Sequence, residues 1–378
     1  MPPSNRQPAI FAKFLGKEIL GEWGRLLFSL IDAFHRTGIT IELFDNLPAQ
    51  DLGKYGPLVF SLENVSSTAR DPVDTGNLIY LFDREDATIG KRRWRKKVRV
   101  AFDVYRPYLF ESPVIMPYPV HPAHARPELS SRIERCRSMP KSMSIFFAGD
   151  TEGYTRNRIH YPEEKMTRLQ IVDAIQRRLT DRLLPVRTTA ELDQAISGNA
   201  IGRFVLAAPK TLRIEPGAWL ETIARASFFL CPPGYVMPMC HNITEAMAVG
   251  TIPITNYPEW LDPHLTHLEN CIVFRNESDL IEKLESALAM PDAQVAAMRR
   301  RVIDYYERHL TANCFVERVL SHRDSDVTVL MITDANVAAN ERSLSGRSIL
   351  IRGTTGSGRT KWLDMLRLFA SRRTQMPF

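Results

Sequence analysis

The segment whose residue types and spacing best suit a reaction is Ser227–Tyr257, SFFLCPPGYVMPMCHNITEAMAVGTIPITNY. Phe228–Cys231 is an apolar run of strand type, Pro232 and Pro233 stiffen the chain behind it, and Gly234 permits a close turn. A helix is expected to begin at about Cys240–Asn242. Its first N–H groups would then lie at the strand's carboxyl end, where an open α/β sheet takes its ligand and where a helix terminus favours a diphosphate. Glu245 falls one or two turns in, where a carboxylate would accept hydrogen bonds from the vicinal hydroxyls of a ribose. Small Ala246, Ala248 and Gly250 let this helix pack closely on a sheet. His241 reads as a ligand contact or as a cap, and Tyr235 and Tyr257 as stacking partners or as packing residues. Cys231 and Cys240 read as small buried hydrophobes.

The run LCPPGY...HNITEAMAVGTIPI resembles the donor-binding segment of two-Rossmann-domain (GT-B type) glycosyltransferases, most of all the exostosin-like group. IFFAGDTEGYTRNRI (Ile145–Ile159) is similar to the opening of the exostosin C-terminal half, and EWLDPHL...NCIVF with YYERHLT to its close. The likeness covers about Lys141 to Leu320. It implies that Glu245 holds the ribose of a nucleotide sugar and that Gly149, with Arg156 or Arg158, lies near the diphosphate. Two positions depart from the pattern: Met237 stands where related enzymes carry a second glutamate, and Asn242 where exostosins carry an arginine. The implied reaction moves a sugar from a nucleotide diphosphate sugar to a hydroxyl of a glycan or glycolipid. No metal or other cofactor is expected, since a helix terminus and basic side chains stabilise the leaving diphosphate. The nearest Asp-x-Asp triplet, Asp324–Asp326, lies in the tail. For an inverting reaction the general base would come from the N-terminal domain, with Glu22 and Asp103 as weak candidates.

Two other runs carry chemistry of their own. KRRWRKK (Lys91–Lys97) reads as an exposed turn before a strand, or as a contact with anionic lipid with Trp94 at the interface. SILIRGTTGSGRTKWL holds Gly353–Thr360 at phosphate-loop spacing with Arg359 in the lysine position. Too little chain follows to build the sheet an NTPase needs, so it reads as a glycine turn. A nucleotide-binding NTPase or regulator using that loop is the alternative function, beside a non-catalytic scaffold of the same fold.

The elements that must position these residues follow from periodicity. The chain has 378 residues, 44% hydrophobic and 24% charged, and a net charge of +6, so disordered and collagen-like classes are excluded. Five dispersed cysteines without a CxxC pair fit a reducing compartment and no zinc ribbon. The N-terminus lacks the pattern of a secretory signal, and no apolar run is long enough to span a bilayer, so a cytoplasmic protein is expected, with peripheral membrane contact left open. Nucleic acid is not an expected partner. AIFAKFL, TIELFD, PLVFSL, LIYLFD and KVRVAFDV read as strands, with a helix over RLLFSLIDAF. A proline-rich crossover follows, after which SMSIFFAG, RFVLAA, SFFLCPP, TIPITN and NCIVF alternate with helices. The expected fold is α/β, two tandem Rossmann-like doubly wound domains over 1–125 (acceptor) and 126–323 (donor), with a C-terminal appendage over 324–378.

Overall fold

The computed structural model describes residues 9–102, 113–151, 165–198, 200–207, 212–234 and 238–333. The chain divides into two compact units, one taking in the described residues of 1–116 and 312–378, the other those of 117–311. Each unit is a parallel sheet with helices in the connections, as the alternation of apolar runs and amphipathic segments requires.

In unit 1 the strands are β1 (Ala9–Lys13), β2 (Thr40–Phe44), β3 (Val65–Thr68), β4 (Leu78–Phe82), β5 (Lys96–Ala101), β6 (Val114–Ile115) and β13 (Asp326–Leu330). They lie in the order β3-β2-β1-β4-β5-β13-β6, all parallel. Helix α1 (Arg25–His35) buries Leu26, Leu27, Leu30, Ile31 and Phe34, and Phe34 meets Phe315 of α9 (Ala312–Leu320) edge to face at 6.0 Å.

Unit 2 holds β7 (Met143–Ala148), β8 (Leu183–Val186), β9 (Ala200–Ala207), β10 (Ala226–Leu230), β11 (Ile252–Thr255) and β12 (Ile272–Val273), in the parallel order β12-β11-β10-β7-β9-β8. Its connections carry α2 (Leu129–Arg137), α3 (Arg168–Arg178), α4 (Thr189–Ser197), α5 (Pro216–Ala224), α6 (His241–Ala248), α7 (Glu277–Leu288) and α8 (Asp292–Tyr305). All six residues of β7 are buried, the mark of a strand covered on both faces.

Three expectations are corrected. PLVFSL is not a strand: Gly56–Ser61 is a 3₁₀ turn opened by Pro57, with Val59 buried and Leu58 and Phe60 exposed, and the strand comes later, at β3. The Lys141–Leu320 series contains one more strand and helix than expected, β8 and α4, because edge strand LLPV tolerates its proline and shows no alternation. Residues 326–330, placed by sequence in an appendage, form β13, an interior strand of the first sheet, and the break between units falls at 116/117 and 311/312. β13 pairs Val327 with Val98 and Val329 with Val114, and Lys96 Nζ donates to the carbonyls of His322 (2.7 Å) and Asp324 (3.0 Å).

A chain ending at Asp324 is therefore expected to lose more than a tail. With β13 gone, β5 and β6 each expose an unpaired edge, and the truncated protein should aggregate or melt without a cooperative transition in circular dichroism. A soluble truncation melting as sharply as the full chain would show that β13 is dispensable.

Candidate functional site

Strand order reverses between β7 and β10: from β7 the chain crosses to the edge strand β8 and returns to β9 beside β7, whereas from β10 it moves to the other side through β11 and β12. Open α/β sheets bind ligands in the crevice outside the carboxyl ends at such a reversal. On the β7 side this place is Gly149–Asp150, on the β10 side Cys231–Gly234. A Cβ on Gly149 would lie 3.2 Å from the Phe147 ring, which would have to give by a few tenths of an ångström, and 3.5 Å from Arg168 Nη1. Gly234 N–H donates to Pro238 O at 3.0 Å, closing the turn ahead of α6. α6 then starts at His241 behind its N-cap Cys240, whose side chain makes no cap hydrogen bond, and Asn242 is partly exposed in its first turn.

Arg168 joins these loops. Its Nε donates to Pro233 O (3.2 Å) and its Nη1 to Asp150 O (3.0 Å), with Nη2 3.7 Å from Cys240 Sγ, and the residue is 3% exposed. A cation in the first turn of a helix works against the macrodipole, so the acceptors around it are what hold Arg168 at the start of α3. Sequence reasoning missed it. The signal was Thr167 with Gln170, a reciprocal capping box that fixes the start of α3 and hence the place of Arg168.

The face of α6 formed by His241, Thr244 and Glu245 grips the segment that enters unit 2. His241 Nδ1 lies 2.8 Å from Pro119 O, and Thr244 Oγ1 donates to Tyr118 O at 2.7 Å. Glu245 Oε1 accepts the His121 N–H (2.9 Å) and Oε2 the Trp219 Nε1–H (2.6 Å). Glu245 is 2% exposed, and its carboxylate is engaged by these donors inside unit 2. The His241 ring meets Tyr118 at a tilt (5.1 Å) and His121 edge to face (5.0 Å). Tyr257 is a fully buried core residue whose hydroxyl burial pushes well above the usual tyrosine range, and the same cause raises the Cys231 thiol. Arg156, Arg158 and Tyr235 lie outside the described residues, as do Asp103 and Gly353–Thr360.

Unit 1 has its own reversal, between β1 and β4. There the Asp83 carboxylate accepts the N–H groups of Leu15 (2.8 Å) and Gly16 (2.7 Å), and a Cβ at Gly16 would strike that carboxylate. Glu22 forms an ion pair with Arg25 at the start of α1 and has φ of +57°. The lipid reading of Lys91–Lys97 loses its aromatic anchor. Trp94 is 8% exposed, stacked on Tyr80 at 4.7 Å, with Nε1–H donated to Ile89 O at 3.0 Å. Among the described residues no helix is long and apolar enough to cross a membrane.

No family model and no curated protein matches this chain. Among solved structures it is similar in chain path to Anabaena HepE in complex with UDP, at 12% identity and a TM-score of 0.43, over 82% of this chain and 98% of that one. A glycosyltransferase from Rickettsia africae aligns at 9% identity and TM-score 0.45 (84% and 100% coverage), and an α-glucosyltransferase in complex with UDP at 14% and 0.38 (82% and 98%).

His124, beside Glu245 (Nε2 to Oε1 3.7 Å), generates a pH prediction. Burial, with the positive charge of Arg132 and the neighbouring His121, pushes its imidazole down to about 4. The unfolded chain takes up this proton below about pH 6.5, the folded chain only near 4, so stability is fully present above 6.5 and is lost as pH falls through that window, by roughly 3 kcal/mol. His124→Leu should flatten the decline between pH 6.5 and 4.5 in urea titrations. Parallel curves for variant and wild type would remove His124 from the acid response.

Proposed function

We propose that this chain is a GT-B-type glycosyltransferase whose unit 2 binds a nucleotide diphosphate sugar and whose unit 1 receives the acceptor hydroxyl of a glycan or glycolipid. The observation that carries the reading is the contrast between the two sheet reversals. In unit 1 the loop N–H groups suited to an anion are already taken by Asp83. In unit 2 the reversal combines a glycine at the strand end, a buried guanidinium and a helix start whose N-cap, Cys240, lends it no side-chain hydrogen bond. That is the chemistry a diphosphate needs.

The resemblance of the Leu230–Ile254 segment to the exostosin-like group falls on this same place and supports the reading. Glu245 enters it as the residue that positions α6, and a direct ribose contact would require it to share or release its present donors. The departing nucleoside diphosphate would be stabilised by the α6 terminus and by basic side chains, without a metal. Glu22 stays the candidate base on the unit 1 side, and exposed Lys91, Arg93 and Arg95 are the charges that a contact with anionic lipid would use.

A thermal-shift series with UDP, GDP, ADP and CMP, with and without EDTA, tests the proposal. One nucleoside diphosphate should raise the melting temperature equally in both conditions. Asn242→Asp should leave the ligand-free melting temperature unchanged or slightly higher, because an acid suits a helix start. Its nucleotide affinity should fall roughly tenfold, because the same charge repels a diphosphate. Unchanged affinity in that variant would place the anion elsewhere, and a shift lost in EDTA would refute the metal-free mechanism.

A further inference from the structure

Trp23 is 76% exposed, while Trp94 and Trp260 are buried. It lies in the loop between β1 and α1, at the carboxyl-end side of the unit 1 sheet. The backbone there is left-handed at three successive residues, Glu22 (+57°), Trp23 (+64°) and Gly24 (+80°). Only the third is a glycine; a bulky aromatic in this region is a rare outlier that persists when its surroundings enforce it.

The surroundings do enforce it. Tyr55 N–H donates to Trp23 O at 2.9 Å. A Cβ on Gly53 would sit 2.6 Å from the Trp23 carbonyl carbon, one on Gly24 would strike Leu52 O, and one on Gly56 would lie 2.8 Å from Leu52 Cβ. Glycines at 24, 53 and 56 thus let residues 52–56 close on the backbone of 22–24. That packing stabilises nothing for the indole, which is left in solvent. Strain held in place to display an exposed aromatic is the pattern of a binding residue.

We propose that Trp23 is a stacking platform for a pyranose ring of the acceptor, an inference that rests on the glycosyltransferase reading above. The surrounding chemistry favours a sugar over a lipid surface. A pyranose offers an apolar C–H face to the indole and a rim of hydroxyls to polar groups, and the loop supplies both signs of charge. Glu22 and Arg25 form an ion pair there, Lys17 pairs with Asp51 at 2.9 Å, Glu18 with Arg84 at 2.7 Å, and Lys54 covers Tyr55. The carboxylates at 18, 22 and 51 pair with Arg84, Arg25 and Lys17, so little of the positive charge here is left over to hold anionic lipid.

The test uses the full chain, Trp23→Ala, Trp23→Phe and Trp23→Asn, the last because asparagine enters the left-handed region readily. The probes are a printed array of hexose, N-acetylhexosamine and uronic acid oligosaccharides, phosphatidylglycerol vesicles, and the nucleoside diphosphates used above. Wild type should retain at least one oligosaccharide, and that sugar should shield its fluorescence from iodide. Ala and Asn should each lose at least roughly tenfold in retention, a change of about 1.4 kcal/mol, while Phe stays within a few-fold. All four proteins should keep the same nucleotide shift. Retention by Ala and Asn equal to that of wild type overturns the proposal, as does a Trp23-dependent loss on vesicles without one on sugars. A nucleotide shift in wild type with no sugar retained overturns the platform and leaves the unit 2 reading standing. Trp23-dependent retention with no nucleotide shift overturns the unit 2 reading and keeps Trp23 as a sugar-binding residue.

Discussion

The buried carboxylate of Glu245 is the constraint on which unit 2 depends. An ionised carboxylate taken out of water costs many kilocalories per mole unless donors replace its hydration. Here the donors come from two separate stretches of chain, the His121 N–H and the indole N–H of Trp219 on α5. Meeting that requirement fixes α6 against α5 and against the segment that opens the unit. Thr244 and His241, on the same helical face, continue the attachment through Tyr118 O and Pro119 O. The start of α6 therefore cannot shift without disturbing all of them, and that start is one wall of the β7–β10 crevice.

Arg168 supplies the complementary constraint. Its guanidinium bridges the loops after β7 and β10, so their separation is set by the span of one rigid planar group. The carboxylate fixes where the helix begins and the guanidinium fixes how wide the crevice stands. Both groups are buried, and they rigidify the site only because the acceptors and donors around them are in place.

Much of this was legible in the sequence where local signals and tertiary demands agree. The α6 start follows from Pro232, Pro233 and Gly234 behind an apolar strand, and β7, β10 and β11 are continuous apolar runs of fully buried strand type. Legibility failed where position in the sheet decides. VTVLM is readable as a strand, but its place between β5 and β6 depends on a pairing across more than two hundred residues, which no local pattern encodes. PLVFSL has strand-like composition, yet Pro57 and the tight packing of Gly56 on Leu52 bend it into a 3₁₀ turn. At the site, the sequence pattern around Glu245 does not announce its donors, because Trp219 and His121 are distant in the chain. Trp94 shows the same ambiguity: amid six basic residues it suggests an interface, while Phe11 and Tyr80 on neighbouring strands draw it into the core.

The two sheets also show why one architecture does not dictate one ligand. Both reverse strand order at a central pair, so both have a crevice of the same origin. In unit 1 that crevice is closed to anions by its own sequence: Gly16 lets the backbone come onto Asp83, whose two oxygens take the N–H groups of Leu15 and Gly16. A phosphate arriving there would meet a carboxylate and donors already in use. In unit 2 the corresponding loops turn carbonyls toward an arginine, which puts a guanidinium and the start of α6 beside the strand ends. The two sheets share the reversal but neither the number nor the order of their strands, and what sets the opposite local charge is a few side chains at the strand ends.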